Sequence, residues 1–249
     1  MPRLDGLDVE THNMPGNFTF TGARIANLGA TEYTLVDVEV DASTSVGPFR
    51  GDLIMMIEAA IDACKKSPRS DNLLIRVAIF SDRLPKGTSE LHGYIPLSEI
   101  DVNKYQDWRT GGNTPLLDAC FMGVGAMNAY AKMLADQDFN ANGITFIITD
   151  GAENASTASA SMVRKEIEKA TQDEVLESHI SILIGINATQ YASTLEAFKT
   201  DVGITQFIDA GDATKGNLAK LAAFVSQSIS STSQALGTGG PSQSIAAIV

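Results

Sequence analysis

The stretch on which the fold turns is Thr34-Leu-Val-Asp-Val-Glu-Val-Asp41, continued by Ala42-Ser43-Thr44-Ser45. Its first eight residues alternate strictly. Val36, Val38 and Val40 point one way; Leu35, Asp37, Glu39 and Asp41 point the other. A period of two is the signature of a β-strand. Ala42 to Ser45 abandons the alternation for small hydroxyl residues, which end a strand and open a loop. Downstream, Phe49 to Lys66 places Leu53, Ile54, Ile57 and Ile61 at helical spacing. A strand that leads through a loop into a helix is the opening of a βα unit.

The same alternation of elements continues along the chain. Leu73 to Phe80 (LLIRVAIF) reads as a second strand. Leu91 to Ile100 contains a short strand, placed at a sheet edge and antiparallel because Pro96 cannot donate to a ladder. Pro115 suits the first turn of a helix that runs to about Leu134, with Gly123 and Gly125 allowing close packing. Ile144 to Thr149 (ITFIIT), Ile180 to Ile186 and Ile204 to Ile208 read as further strands. Ala158 to Ser178, Ser193 to Thr200 and Leu218 to Ile229 read as helices. Near-continuous apolar strands alternating with helices imply a parallel sheet covered on both faces. The expected fold is therefore α/β, a doubly wound, mostly parallel sheet of six strands with Thr34–Asp41 at its centre. Residues 1–33 read as an irregular arm that lends one strand, 34–230 as the domain, and 231–249 as a flexible Ser/Gly-rich tail.

Bulk properties narrow the function. The chain has 249 residues, 44% of them apolar, and a formal net charge of −12. Negative charge repels phosphates and anionic lipid heads, so neither nucleic acid nor a membrane surface is an expected partner. No basic segment followed by an apolar run opens the sequence, and no apolar run approaches the ~20 residues of a membrane span. The two cysteines, Cys64 and Cys120, lack metal-ligand spacing and read as reduced thiols. These features together point to the cytoplasm. Arg50-Gly-Asp52, an adhesive tripeptide in extended loops, falls at a helix start and reads as coincidence. Asn17 and Asn154 stand in glycosylation-type tripeptides and read the same way.

In parallel α/β sheets the ligand site lies beyond the carboxyl ends of the strands, where the strand order reverses. Three loops belong there: Asp41-Ala-Ser43-Thr-Ser45, Thr110-Gly-Gly112-Asn113-Thr114-Pro115, and Thr149-Asp150-Gly151. Together they offer Asp41, Ser43, Ser45, Thr114 and Asp150, all hard oxygen donors without His or Cys. Such a set selects Mg²⁺ or Mn²⁺, and Ca²⁺ less well because calcium takes more ligands and more carboxylates. Gly112, Asn113, Gly151 and Glu153 are expected to line the rim where a ligand would sit.

This combination resembles the metal-ion-dependent adhesion site of von Willebrand factor A (VWA) domains, whose pattern is DxSxS, a distant Thr and a distant Asp. The likeness runs from about Thr34 to Ile229. It implies that the serines and the threonine contact a divalent ion, that the aspartates act directly or through water, and that a protein partner supplies an acidic side chain as the remaining ligand. It also implies a binding module rather than an enzyme, of the intracellular bacterial type. The sequence departs from the pattern in one respect: Asp37 and Glu39 lie on the first strand, which implies a buried counter-charge from Arg76 on its neighbour. Two other readings compete. A Mg²⁺-dependent phosphoryl-transfer enzyme would want a second aspartate two residues after Asp41, where Ser43 stands. A structural subunit would use the metal only to stabilise loops.

Overall fold

The computed structural model describes residues 8–14, 18–172, 175–240 and 242–246. Eight strands occur among them: β1 (Val9–Asn13), β2 (Thr19–Ala23), β3 (Glu32–Asp41), β4 (Leu73–Phe80), β5 (Thr88–Pro96), β6 (Asn140–Thr149), β7 (His179–Gly185) and β8 (Gln206–Asp209). They form one mixed sheet in the order β1-β2-β5-β4-β3-β6-β7-β8. Five α-helices accompany them: α1 (Arg50–Cys64), α2 (Leu116–Ala135), α3 (Ala160–Gln172), α4 (Ala192–Val202) and α5 (Lys215–Thr238). No described helix is long and apolar enough to cross a membrane.

β3 is central, paired in parallel with β4 on one side and β6 on the other. The chain steps from β3 to β4 and β5, then returns to the opposite side of β3 as β6. The switch point therefore lies between the carboxyl ends of β3 and β6, where Val40 pairs with Ile148.

The two faces of β3 meet different layers. Val36, Val38 and Val40 join a core with Leu53, Ile54 and Ile57 of α1 and Leu221 and Val225 of α5. The opposite face meets α2, α3 and α4 through Leu35, Leu74, Ile147 and Leu183. Each fully buried aliphatic side chain of these cores contributes about 1.5–3 kcal/mol.

Four expectations need correction. The sheet has eight strands, not six. β5 is antiparallel to β4 as expected, but it is not an edge. The N-terminal arm supplies a hairpin, β1–β2, whose second strand meets β5 at Gly22 and Tyr94. Phe20 is fully buried against Tyr94 and Tyr130, and the Tyr130 hydroxyl donates to the Ala23 carbonyl at 2.6 Å. At the other end, α5 continues to Thr238, well beyond Ile229. Its polar turns find partners: the Arg69 Nε donates to Ser233 Oγ at 3.0 Å, and the Asn142 Nδ2 donates to the Thr232 carbonyl at 2.7 Å.

The expected counter-charge is present. Arg76 Nη1 lies 2.7 Å from Asp37 Oδ1 and 2.6 Å from Glu39 Oε1, and its Nε lies 2.7 Å from Glu90 Oε1 of β5. All but Glu90 are essentially sealed from solvent. Three carboxyls thus share one guanidinium, and Asp37 Oδ2 and Glu39 Oε2 have no hydrogen-bond partner. Burial, only partly offset by Arg76, pushes both acids upward, Glu39 to about 8. The cluster therefore favours at least one bound proton at neutral pH. Gly123 of α2 makes room for it, since a Cβ there would overlap Asp37 Oδ2 and stand 3.1 Å from Glu39 Cγ.

Arg50-Gly-Asp52 forms the first turn of α1, with the Arg50 guanidinium 4.7 Å from the Trp108 ring centroid. It is not displayed in an extended loop. Cys64 and Cys120 are free and buried.

Candidate metal centre

The first loop leaves β3 at Asp41, which is fully buried. Its Oδ1 accepts the Ser43 backbone N–H at 2.7 Å, the short-range turn that Asp favours after a strand. Its Oδ2 accepts the Thr149 hydroxyl at 2.7 Å from the neighbouring end of β6. These two bonds fix the carboxylate plane. A 3-10 turn, Thr44–Phe49, follows and turns Ser45 back over the strand end. Ser43 Oγ and Ser45 Oγ are 3.1 Å apart, and Ser45 Oγ donates to Asp150 Oδ1 at 2.8 Å. Asp41, Ser43, Ser45 and Asp150 thus form one connected group of side-chain oxygens at the switch point.

Thr114 comes from the loop before α2. Its backbone N–H donates to Asn154 Oδ1 at 2.8 Å, and its carbonyl accepts from Asn154 N at 3.2 Å. Its hydroxyl faces Gly151, where an added Cβ would lie 3.8 Å from Thr114 Oγ1. Thr114 is buried beside the group, and its backbone ties the second loop to the third.

The electrostatics of the group are unusual. Burial raises the Asp41 carboxyl to about 6, held back by bonds from Thr149 and Ser43 and pushed further by the charge of Asp150. Burial also raises Asp150, against the Ser45 hydrogen bond. Among the described residues neither aspartate has an ion-pair partner. Two buried like charges with no counter-ion are costly unless a cation joins them or a proton neutralises one. No cluster of three or more His, Cys, Asp or Glu able to hold a metal occurs among the described residues. The set here has two carboxylates and three hydroxyls, and its oxygens suit a hard divalent ion.

The rim residues divide. Gly112, at φ +82°, occupies the left-handed region, and a Cβ there would overlap Asp82 Oδ1. Its carbonyl accepts from Thr44 N at 3.1 Å and Thr44 Oγ1 at 3.0 Å, tying the second loop to the first. Asn113 donates to both oxygens of Asp82, at 2.8 Å and 2.7 Å, and so braces the loop after β4. The Gly151 N–H donates to Thr149 Oγ1 at 3.2 Å. Glu153 is turned inward instead of lining the rim: it accepts from Leu117 N at 2.8 Å, Ala155 N at 2.9 Å, and Ser156 N and Oγ at 2.7 and 2.6 Å. It caps the first turn of α2, which needs acceptors for its free N–H groups.

Three supporting residues escape a motif search. Thr149 orients Asp41. Asp82 anchors Asn113. Asp118 of α2 accepts from Thr157 N at 3.1 Å and Ala158 N at 2.8 Å, pinning the far end of the third loop. Asp118 stands four residues after Thr114, and that spacing to a helical, inward-facing acid is the signal that could have found it.

No family model matches the chain, and no curated protein matches it in sequence. Solved structures do match in fold. The pilus adhesin SpaC from Lactobacillus rhamnosus GG, in its open conformation, matches over 93% of this chain and 35% of its own, at 9% identity and a TM-score of 0.59. Proximal thread matrix protein 1 from the mussel byssus, with a zinc-occupied metal-ion-dependent adhesion site (MIDAS) motif, matches over 80% of this chain and 46% of its own, at 16% identity and a TM-score of 0.51. The chain thus spans less than half the length of either protein. At these identities the likeness is one of fold: an alternating α/β domain with a mixed sheet.

Proposed function

We propose that this chain is a metal-dependent protein-binding module rather than an enzyme. Asp41, Ser43, Ser45, Thr114 and Asp150 would hold one Mg²⁺ or Mn²⁺, and a partner's acidic side chain would complete the ion's shell. The observation that carries this reading is the pair of buried aspartates, linked through Ser43 and Ser45 and, among the described residues, in ion-pair contact with no basic side chain. A hard divalent ion supplies the missing positive charge and offers a Lewis-acidic position to an incoming carboxylate oxygen.

The chain's own residues do the rest. Thr149 and the Ser43 N–H hold the Asp41 carboxylate in one orientation, so little ordering remains when an ion arrives. Ser45 is exposed and stands at the entrance. Asp118 and Glu153 clamp the third loop onto α2, keeping Asp150 and Thr114 in place. The adhesion and matrix proteins that share the fold fit this reading, and the zinc in the mussel protein fits a divalent ion at the same type of motif.

Titration calorimetry of Mg²⁺ and Mn²⁺ into the wild type and Asp41→Ala tests it. Loss of a charged ligand should weaken metal binding at least tenfold, about 1.4 kcal/mol. Partner capture should fall with it and vanish in EDTA. Equal metal affinity in the two proteins would overturn the proposal.

A further inference from the structure

The deepest unexplained feature of the site's rim is a single arginine. Arg83 follows Asp82 in the loop after β4 and is exposed. Among the described residues its guanidinium makes no ion pair. Its adjacent carboxylate is committed elsewhere, since both oxygens of Asp82 accept from Asn113.

The arginine is nevertheless held. Its stem lies flat across two glycines of the second loop. A Cβ added to Gly111 would come within 3.3 Å of Arg83 Cδ and 3.4 Å of Nη1, and one added to Gly112 within 2.8 Å of Cγ. Any larger residue at either position would lift the side chain. The glycine loop itself is stitched to the metal loop: Gly111 N donates to the Ala42 carbonyl at 2.8 Å, and Thr44 N donates to the Gly112 carbonyl at 3.1 Å. The guanidinium is therefore held on the glycine loop that is bonded to Ala42 and Thr44, on a chain whose net charge is −12. Asp82, the acid beside it, feels its charge but spends both oxygens on Asn113, so an exposed guanidinium held on a glycine bed in this loop is a recognition element, because five N–H donors in a planar fork match a carboxylate.

We infer that Arg83 is a second anchor for the acidic partner, so that the site reads a pair of carboxylates: one at the metal, one at Arg83. This rests on the metal-dependent reading above. It specifies the partner further, as a peptide segment with two acidic residues close in sequence.

The test uses the full chain loaded with Mg²⁺ and short blocked peptides as probes, followed by NMR titration at about 0.15 M salt, where distant charges are screened. One peptide carries a single glutamate among glycines; the others carry two, adjacent or separated by one or two glycines. At least one diacidic peptide should bind about fivefold more tightly than the monoacidic one, the effect of one well-placed exposed ion pair. Arg83→Gln should abolish that preference while leaving Mg²⁺ affinity and monoacidic binding unchanged. Arg109→Gln, on the neighbouring segment, should retain it. Equal affinities for all peptides in the wild type, or a preference that survives Arg83→Gln, would overturn the inference while leaving the metal reading intact. If the monoacidic peptide fails to bind the Mg²⁺-loaded wild type, the metal reading itself fails and the Arg83 anchor falls with it.

Discussion

Two acidic sites share one face of one strand. Asp37, Glu39 and Asp41 alternate along β3 toward α2, yet the middle and the end of the strand solve their charge differently. In the middle, Arg76 reaches Asp37, Glu39 and Glu90 at 2.6–2.7 Å, and the cation is built in. At the end, Asp41 and Asp150 have hydroxyls for neighbours and no basic side chain. The difference is that a covalently attached cation cannot leave, so the first cluster is a fixed part of the core. The second has no such built-in cation among the described residues; under the proposed function an exchangeable ion would take that place and a partner could read it.

The sharpest way to break the comparison is to remove the built-in cation. Arg76→Met leaves three carboxyls around an apolar stem. Breaking a buried pair in this way costs about 3–5 kcal/mol, and urea denaturation should find the variant mostly unfolded or greatly weakened. Adding Asp37→Asn and Glu39→Gln to it should restore much of the loss. Unchanged stability in the single variant would show that the cluster is not what holds these elements.

Crowding the same cluster from the helix side should do less. Gly123→Ala pushes a methyl into Asp37 Oδ2, and overpacking of this kind costs about 1–3 kcal/mol. A thermal melt should register it. Asp41→Ala should shift the metal-free melting temperature less, because relief of the Asp41–Asp150 repulsion offsets the two hydrogen bonds lost from Ser43 and Thr149.

The last test of the cluster is titration. Burial raises Glu39 to about 8 in the folded chain, from 4.5. The folded state then holds a proton that the unfolded state releases. The associated stability is fully present below about pH 4.5 and is lost as pH rises toward 8, with a slope of at most about 1.4 kcal/mol per pH unit. Above that the contribution is flat. Comparing urea midpoints of wild type and Glu39→Gln at pH 5.5 and 8.5 checks this. The variant should lose less stability between the two, and a parallel decline in both would refute the assignment.

How much of this was written in the sequence follows from which signals are local. β4 begins and ends at Leu73 and Phe80 as its apolar run does, and the three site loops follow from strand ends, glycines and Pro115. The Arg76 pairing with Asp37 and Glu39 was legible because adjacent parallel strands must share a face. Glu90 was not, because β5 crosses with register shifts near Val77 and Ala78. The arm lends two strands, β1 and β2, where one was expected, because Thr19–Ala23 alternates weakly and owes its place to Tyr94 and Tyr130, far along the chain. The last turns of α5 were missed because Ser, Thr and Gly are poor helix formers; Arg69 and Asn142 hold them by tertiary contact. Glu153 illustrates the opposite error, a residue near the motif whose oxygens are consumed by the start of α2.

The β1–β2 hairpin has a consequence for the order in which the molecule is made. It leaves a ribosome before the rest of the sheet, yet the Tyr130 hydroxyl that receives it lies 107 residues downstream of Ala23. At about 5–20 residues per second, that is a wait of about 5–20 s. During it Phe20 has no pocket, and once β5 forms its outer backbone edge is open until the hairpin arrives. The segment synthesised early therefore completes the sheet late, and the step that closes it is a long-range search rather than a local turn.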